Sequence, residues 1–441
     1  MQFRLALLAF LVMVPGTLCA PVLRELVNDI FPVGPDGAAW FLSVGMLGSI
    51  LAAPVVGRLA DASGRRMPFL VGGALVNAVC WAILPYAPDF NVALGIRLIE
   101  GAASIAVIGP LLALVAEAGR EHLGSAAARE ADAESSAAMA FGWVAMAMML
   151  GIGAGLAIGG IVGGYWLYAP FWLAALWMLV NALLFPRMLP ADGGGEAVGD
   201  STGGREAREG EALDVERVSV LALGVPALVM LALPIGLAFA DRFATGYTMT
   251  SLNFRMREEL LMSPGAAGGV LGLIMLSMSL LSPLSARLLR HRRGALPAVL
   301  AVAAGSIVFG LGLIATGFAN GTMAMTSAAL LTGLGAGLMH APTMILNARL
   351  APPALRATMM TAYVAAGSLG NLVGPLAARF FETRLAVFAE SIGRPELGFA
   401  FVSLSFGGLE IVLAVGLLLG AWAWLRGDGG SESEAGKHKA S

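Results

Sequence analysis

The sequence GRLADASGRR, from Gly57 to Arg66, decides how the rest of the chain is interpreted. It is a short, charged turn with two glycines, and it separates two long apolar runs, 38–56 and 67–83. About 20 mostly apolar residues are enough for a helix to cross a bilayer. Two such runs joined by so short a turn are typical of a membrane hairpin. The arginines of the turn predict that it lies on the cytoplasmic side.

The composition extends this interpretation to all 441 residues. The chain is 58% hydrophobic and only 13% charged, with a mean hydropathy of +0.81. A soluble protein cannot keep so much apolar surface away from water, so the class is a membrane protein. The net charge of -2 and the lack of a basic tract predict no nucleic-acid partner. Cys19 and Cys80 lie in apolar runs and the histidines number four, so no disulfide, metal site or cofactor is expected.

Twelve apolar runs are long enough to be membrane spans, which predicts an all-α polytopic membrane protein. Residues 1–20 also resemble a secretory signal peptide, with Arg4 before an apolar stretch and a possible cleavage site at Ala20. The span count instead requires this segment as the first helix. The predicted spans are 3–23, 37–58, 67–86, 91–117, 137–161, 165–185, 219–250, 265–287, 295–318, 322–348, 358–381 and 399–425.

Four regions follow from the order of these spans. We predict two six-helix bundles at 1–185 and 218–426, a flexible linker at 186–217 and a disordered tail at 427–441. The linker and the tail are too polar and too rich in glycine to bury an apolar core.

The arginines and lysines predict the orientation of the chain. With both termini cytoplasmic, 19 of the 27 basic residues lie on the cytoplasmic side and 6 lie on the other, while Arg97 and Arg242 lie within spans. We therefore expect a protein of a bacterial inner membrane with both termini in the cytoplasm.

The two halves of the chain repeat one another. Three pairs of short patterns recur in the same order, with offsets of 219 to 232 residues. This order predicts a parallel repeat of six plus six spans. The pairs are Pro54-x3-Arg58-Leu59 with Pro283-x3-Arg287-Leu288, Gly101-x8-Pro110 with Gly333-x8-Pro342, and Gly151-x3-Gly155 with Gly370-x3-Gly374.

The opening turn resembles motif A of the major facilitator superfamily, G-x-L-x-D-x-x-G-R-R. The resemblance implies two bundles that rock around a small-molecule site near the midplane. It also implies a cytoplasmic latch, in which Asp61 docks on the other half in the outward-facing state. The alternative is a positively charged loop with no such role. Arg290 stands at the equivalent position of the second half, so a single latch is expected. Its residues are Gly57, Asp61, Gly64, Arg65 and Arg66.

A second charged motif, Arg97-Leu98-Ile99-Glu100-Gly101, lies within the fourth span. A charge near the bilayer centre costs roughly 2.5–3.5 kcal/mol, so it normally faces a partner or a water-filled cavity. Residues three apart share a helical face, which allows Arg97 and Glu100 to pair. The segment resembles motif B of the superfamily, R-x-x-Q-G, whose arginine is tied to proton coupling. Glu100 is therefore either a proton acceptor or the counter-charge of a structural ion pair.

The fifth span contains glycines at spacings that let helices pack backbone to backbone. The pattern resembles motif C of the drug:proton antiporters, G-x8-G-x3-G-P-x2-G-G, with Leu156 in place of the proline. This resemblance favours export, and ordinary tight packing is the alternative. The eleventh span supplies a glycine–proline pair at the equivalent place. The residues concerned are Gly142, Gly151, Gly155, Gly159, Gly160, Gly374 and Pro375.

Further ionisable residues lie within the C-terminal spans. Asp241 and Arg242 are adjacent in the seventh span, so they do not share a face and are expected to pair with other helices. Glu410 in the twelfth span is a lone acid that carries a proton, contacts substrate or faces a polar, lipid-exposed groove. His340, close to Pro342, is interpreted as a satisfied histidine near a kink rather than a coupling residue.

Together these features predict a monomeric secondary transporter that moves a small organic molecule, is coupled to protons and is surrounded by lipid. Export is the first hypothesis and proton-coupled uptake is the second. No G-x-x-x-x-G-K-[ST] motif occurs, so ATP is not expected to drive transport. Two hypotheses come from other classes: a non-transporting sensor, and a membrane enzyme such as an acyltransferase. The enzyme would need a histidine–acid pair at one membrane face, for which His340 is the candidate.

Overall fold

The chain forms a bundle of helices that cross the fold in alternating directions. The computed structural model describes residues 2–63, 65–121, 130–189, 225–290, 295–350 and 356–438. These residues form twelve main helices and no strand, which confirms the predicted all-α class. The helices are α1 Gln2–Met13, α2 Gly34–Ser63, α3 Met67–Ile83, α4 Phe90–Glu121, α5 Glu130–Tyr165, α6 Ala169–Met188, α7 Val225–Tyr247, α8 Pro264–Arg290, α9 Leu296–Phe318, α10 Thr322–Leu350, α11 Arg356–Ser391 and α12 Gly398–His438.

The first span is longer and less regular than its sequence predicts. After α1 the chain continues through two 3-10 turns, one helical turn and a π-helical segment, Leu26–Ile30. The apolar span therefore runs from Phe3 to Ile30, and the predicted end at residue 23 is wrong. Pro15 and Pro21 account for the irregular part, since each lacks the backbone N–H that a regular helix requires.

The seventh span shows the same feature. A π-helical segment, Thr248–Leu252, follows α7, and a short helix, Asn253–Glu258, completes the span. The apolar span covers Leu228–Glu258, so it begins and ends later than the predicted 219–250. The two equivalent spans thus share a π-helical segment toward the same end.

Eleven of the helices in the described part of the chain are long and apolar enough to cross a membrane by themselves. The other, α11, is long enough at 36 residues but carries several charged side chains in its second half. It packs against α7, α2 and α12 in the bundle, where the eleventh predicted span was expected. The twelve-helix fold is therefore confirmed, with α11 held by its protein neighbours.

The predicted repeat is confirmed by matched helix contacts. In each pair, a glycine of one helix lies so close to a neighbouring backbone that an added Cβ would overlap it. The neighbouring residues of the two halves differ by 229 positions, which is also the offset between Pro54 and Pro283. The contacts are Gly151 on Phe10 and Gly370 on Phe239, Gly155 on Val14 and Gly374 on Phe243, and Gly101 on Gly45 and Gly333 on Ile274.

The boundaries between the four predicted regions differ in detail from the prediction. Helix α6 ends at Met188 rather than at residue 185, and residues 190–217 of the predicted linker lie outside the described residues. Helix α12 continues past the predicted start of a disordered tail and ends at His438. No proline follows Pro395 to stop this helix, and the last residues include glutamate, alanine and lysine, which favour helix.

The bundle has two ends, which we call the terminal face and the opposite face. The terminal face carries Gln2, Ser63 and Met188, and the opposite face carries Ile30, Tyr86 and Tyr165. Residues 2–189 form the N half and residues 225–438 form the C half. The halves meet along two pairs of helices, α5 with α8 and α2 with α11.

Candidate functional site

The turn between α2 and α3 lies at the terminal face. Helix α2 ends at Ser63, whose hydroxyl accepts a hydrogen bond from the Arg65 backbone N–H at 3.3 Å. A Cβ on Gly57 would meet nothing within 4 Å, so this glycine stands in open space. The side chain of Asp61 and all of Gly64 lie outside the described residues. The latch role therefore remains a prediction.

Arg97 and Glu100 form the ion pair that their spacing predicts. An Arg97 N–H donates to one carboxylate oxygen of Glu100, and both side chains are about 6% exposed. The other oxygen accepts hydrogen bonds from Asn77 Nδ2 at 3.0 Å and from Ser104 Oγ at 2.9 Å. Both oxygens of this carboxylate are therefore hydrogen-bonded.

The Arg97 guanidinium is also held by aromatic side chains. Its Cζ lies 4.7 Å from the ring centroid of Phe41 and 5.0 Å from that of Trp81. Its Nε donates to the Phe41 carbonyl at 3.3 Å. Cation–π contacts and hydrogen bonds together compensate the cost of burying the charge. The structure supports the interpretation of Arg97 and Glu100 as a structural ion pair.

The C half has a second charged group in the middle of its spans. Asp241 in α7 is buried, and its Oδ2 lies 3.7 Å from Arg242 Nε and 3.6 Å from His340 Nδ1. Adjacent residues on a helix do not share a face, yet the long Arg242 side chain reaches back to Asp241. Asp241 therefore pairs with α10 as expected, and it also pairs with its neighbour Arg242, which the sequence did not predict.

His340 is thus next to an acid, a contact that the sequence does not predict. The two residues are 99 positions apart, and the helix kink suggested by Pro342 says nothing about which helix faces the imidazole. This pair lies in the middle of its spans rather than at a face, which is not where the acyltransferase hypothesis needs it.

Glu410 in α12 is fully buried, and neither carboxylate oxygen has a hydrogen-bond partner among the described residues. Its helix packs against α7, where Phe406 stacks on Phe243 with ring centroids 4.8 Å apart. One turn beyond Glu410, Leu413 lies against Gly236 of α7. Glu410 lies between these two contacts and within electrostatic reach of Asp241. The hypothesis that it faces a lipid-exposed groove is wrong.

The glycines of α5 face two different helices. Gly151, Gly155 and Gly159 lie against the backbone of α1 and its continuation, within the N half. Gly160 lies against Pro264 of the C half, so it belongs to the contact between halves. Gly142 lies in α5, but its surroundings are outside the described residues.

The contact between halves also includes glycines that no motif predicts. Gly153 of α5 and Gly272 of α8 approach each other directly, and Gly268 of α8 lies against Leu156. In α11, Gly374 and Pro375 pack against Gly246 of α7. The pattern in α5 therefore combines packing within the N half and packing across the two halves.

Ion pairs join the halves at the opposite face. Arg24 Nε lies 3.2 Å from a carboxylate oxygen of Glu258, and Arg257 pairs with Glu25. These four residues sit beside the π-helical segments of the first and seventh spans. Asn253 Nδ2 donates to the Ala20 carbonyl at 2.7 Å just below them. The distribution of basic residues in the sequence predicts the face on which Arg24 and Arg257 lie, but not their partners.

A third ion pair and a deeper hydrogen bond join α2 and α11. Arg379 Nε lies 3.0 Å from Asp36 Oδ1, and Ser43 Oγ donates to the Leu372 carbonyl at 2.7 Å. A hydrophobic cluster that contains Met149 of the N half and Met275 of the C half continues the contact toward the midplane. The opposite face of the bundle is therefore closed by contacts between the two halves.

Comparison with known proteins shows the family to which this chain belongs. The family model described as Major Facilitator Superfamily matches residues 5–375. The chain belongs to the major facilitator superfamily. The predicted resemblance is thereby confirmed over most of the chain.

Relatives within the superfamily share part of the sequence. The chain is 34% identical over 163 residues to a class G tetracycline resistance protein of Vibrio anguillarum, covering 36% of this chain and 37% of that protein. It is 30% identical over 100 residues to a probable triacylglyceride transporter of Mycobacterium bovis, covering 22% and 19%. The matches thus span less than two fifths of these relatives.

A solved structure matches nearly the whole fold. A bacterial homolog of the human lysosomal transporter Spinster, in an inward-facing and occupied conformation, superposes with a TM-score of 0.65 at 16% identity. The match covers 96% of this chain and 97% of that one. At this identity the likeness shows the superfamily fold.

Proposed function

We propose that this chain is a secondary transporter that exports a small amphipathic organic molecule in exchange for protons. It works as a monomer in the inner membrane of a bacterium, with the terminal face in the cytoplasm. The two halves rock about a site near the midplane. The observation that carries the proposal is the closed opposite face, where ion pairs and glycine contacts join two pseudo-equivalent halves.

The arrangement corresponds to one end state of alternating access. With the terminal face in the cytoplasm, a state that is closed at the opposite face is the one in which an exporter would load its substrate from the cytoplasm. The Asp61 latch is the device that would close the terminal face in the other state. A charged pair held in mid-span, such as Asp241 with His340, is the usual mark of an ion or substrate pathway.

Export is supported by two features. The glycines of α5 follow the pattern of drug:proton antiporters, although Leu156 replaces the proline. The partial relatives include a tetracycline resistance protein and a triacylglyceride transporter, whose names describe amphipathic or apolar compounds. Tetracycline is therefore the first probe to use.

Transport into proteoliposomes tests the direction of coupling. With protons moving outward from an acidic lumen, an antiporter accumulates tetracycline, and a protonophore abolishes the accumulation. Protein-free liposomes correct for passive entry of the compound. Accumulation that requires an alkaline lumen would show that protons and substrate move together, which would replace export by proton-coupled uptake.

A further inference from the structure

The charged groups of the two halves differ in one respect, namely their balance of charge. In the N half, Arg97 and Glu100 carry one charge each and sum to zero. In the C half, Arg242 carries one positive charge, while Asp241 and Glu410 carry two negative charges when both are ionised. A net charge in mid-membrane is expensive, so one bound proton makes the C-half group neutral, whereas the N-half group needs none.

The hydrogen bonds also indicate that the C-half group, rather than the N-half group, binds a proton. Both oxygens of Glu100 accept hydrogen bonds, from Arg97, Asn77 and Ser104. Glu410 is more deeply buried than Glu100, and neither of its oxygens has a partner in the described part of the chain. An ionised carboxylate without partners in an apolar site is far less stable than a neutral carboxylic acid. Glu410 is thus suited to bind a proton, and Glu100 is suited to hold Arg97.

The surroundings of Glu410 contain few other groups that titrate. From α7, Asp241 lies within electrostatic reach of Glu410. Asp241 in turn pairs with Arg242 on its own helix and with His340 of α10. Helix α11 contributes the buried Tyr363, which lies within electrostatic reach of Asp241. Helix α9, Leu296–Phe318, contains no ionisable residue. Among the residues that the structure describes, this group therefore consists of two carboxylates, one imidazole, one guanidinium and one phenol.

The charged residues of the C half differ in how exposed they are. The Arg242 side chain is 23% exposed, the Asp241 and His340 side chains are each 9% exposed, and Glu410 is 0% exposed. Nδ1 of His340 is buried without a hydrogen-bond partner among the described residues and faces Asp241. The Asp241–His340 pair is therefore less accessible than Arg242 and more accessible than Glu410.

We infer that Glu410 is the carboxyl that binds the coupled proton, and that the neighbouring, more accessible Asp241–His340 pair influences its charge state. Binding forms one O–H bond on Glu410 and leaves its neighbours neutral as a group, with Asp241 still paired to Arg242. Release in the other conformation restores the carboxylate. This inference rests on the proposed proton coupling and names the residue that performs it.

Infrared spectroscopy of the reconstituted full chain tests the proton site without any substrate. A protonated carboxylic acid has a C=O stretching band that a carboxylate lacks. We expect wild-type protein to show such a band that disappears as pH rises, and Glu410→Gln to lack it. Glu396→Gln, which removes an exposed acid near the start of the same helix, is the matched control and keeps the band. A band retained in Glu410→Gln, or lost in Glu100→Gln instead, overturns the inference.

Transport separates this inference from the proposed function. With tetracycline, Glu410→Gln is expected to lose accumulation driven by a pH gradient and to keep exchange of labelled for unlabelled compound. Gradient-driven accumulation that persists in this variant overturns the inference and leaves the proposed function intact. A band assigned to Glu410 in a protein that shows no gradient-driven transport supports the proton site and contradicts the proposed coupling. Glu410→Asp keeps a titratable acid and is expected to keep the band. It therefore tests the inference if Glu410→Gln fails to fold.

Discussion

Arg97 and Glu100 show how local spacing predicts a contact. They are three residues apart on one helix, so their pairing follows from helix geometry and is found in the structure. The aromatic rings of Phe41 and Trp81 that enclose the guanidinium come from other helices, and no local pattern predicts them. Sequence alone left two roles open for Glu100, and the hydrogen bonds from Asn77 and Ser104 favour the structural one.

Breaking this pair should destabilise the protein. Glu100→Gln leaves the Arg97 charge buried without its counter-ion, which costs roughly 3–5 kcal/mol for a buried pair. We expect a lower midpoint of thermal unfolding in detergent for this variant. Replacing both residues, in Arg97→Met with Glu100→Met, removes the unpaired charge and should recover much of the loss. A wild-type midpoint in Glu100→Gln would contradict a structural role.

His340, Asp241 and Glu410 show the limit of prediction at the residue scale. Their positions within apolar runs were visible in the sequence, because a charge in a span is rare. Their mutual placement depends on the packing of α7, α10 and α12, and the three residues lie far apart along the chain. A satisfied kink histidine was the simplest interpretation of His340, and its contact with Asp241 appears only in three dimensions.

At the scale of elements, the glycines of α5 hold it against the first span. A Cβ on Gly159 would overlap the Leu18 backbone carbonyl, whereas a Cβ on Gly164 would meet nothing within 4 Å. We expect Gly159→Ala to be destabilised by about 1–3 kcal/mol, since the helices must separate. Gly164→Ala in the same helix is the control and should unfold as wild type does. Equal thermal stability of the two variants would show that this contact carries little of the packing.

The ion pairs beside the π-helical segments are expected to stabilise closure of the opposite face. Glu25→Arg places a positive charge beside Arg257 and Arg24, which favours separation of the halves. Arg257→Glu in the same protein restores opposite charges. A cysteine is placed at Ala267, which is buried in the closed contact. Its rate of maleimide labelling should rise in the single variant and return to the wild-type rate in the double variant. This experiment uses a background in which Cys19 and Cys80 are replaced.

Labelling that is equally slow in all three proteins would contradict the role of these ion pairs. The sequence predicted the helices that carry them but not their pairing. Proline positions explain why the first span is irregular, yet the shared π-helical segments of the first and seventh spans have no signature in composition or hydropathy.

At the scale of the whole molecule, twelve helices and their repeat followed from apolar runs and recurring motifs. The offset of 229 residues, first visible in Pro54 and Pro283, also relates the backbone contacts of glycines in both halves. Closure at one face could not be predicted, because the proposed transport cycle requires the same sequence to support both end states. It depends on contacts such as Gly153 with Gly272, which form between helices from different halves.

The motif at Gly57–Arg66 leads to a prediction about the other end state. If Asp61 docks on the C half when the terminal face closes, Asp61→Asn should slow transport while folding and insertion stay close to wild type. Initial rates in proteoliposomes, with protein content matched by gel filtration, measure the effect. Glu390→Gln, an exposed acid at the far end of α11, is the control. A wild-type transport rate in Asp61→Asn would contradict the latch role of Asp61.

In the proposed mechanism, movement of substrate and movement of protons are one process. Coupling is reciprocal, so a substrate gradient must move protons just as a pH gradient moves substrate. The most direct test adds tetracycline outside proteoliposomes that hold a pH-sensitive dye and have no initial pH gradient. Proton-coupled export predicts that the lumen becomes alkaline as protons leave in exchange for entering compound. A lumen that stays at constant pH while tetracycline enters through the protein would contradict the claim.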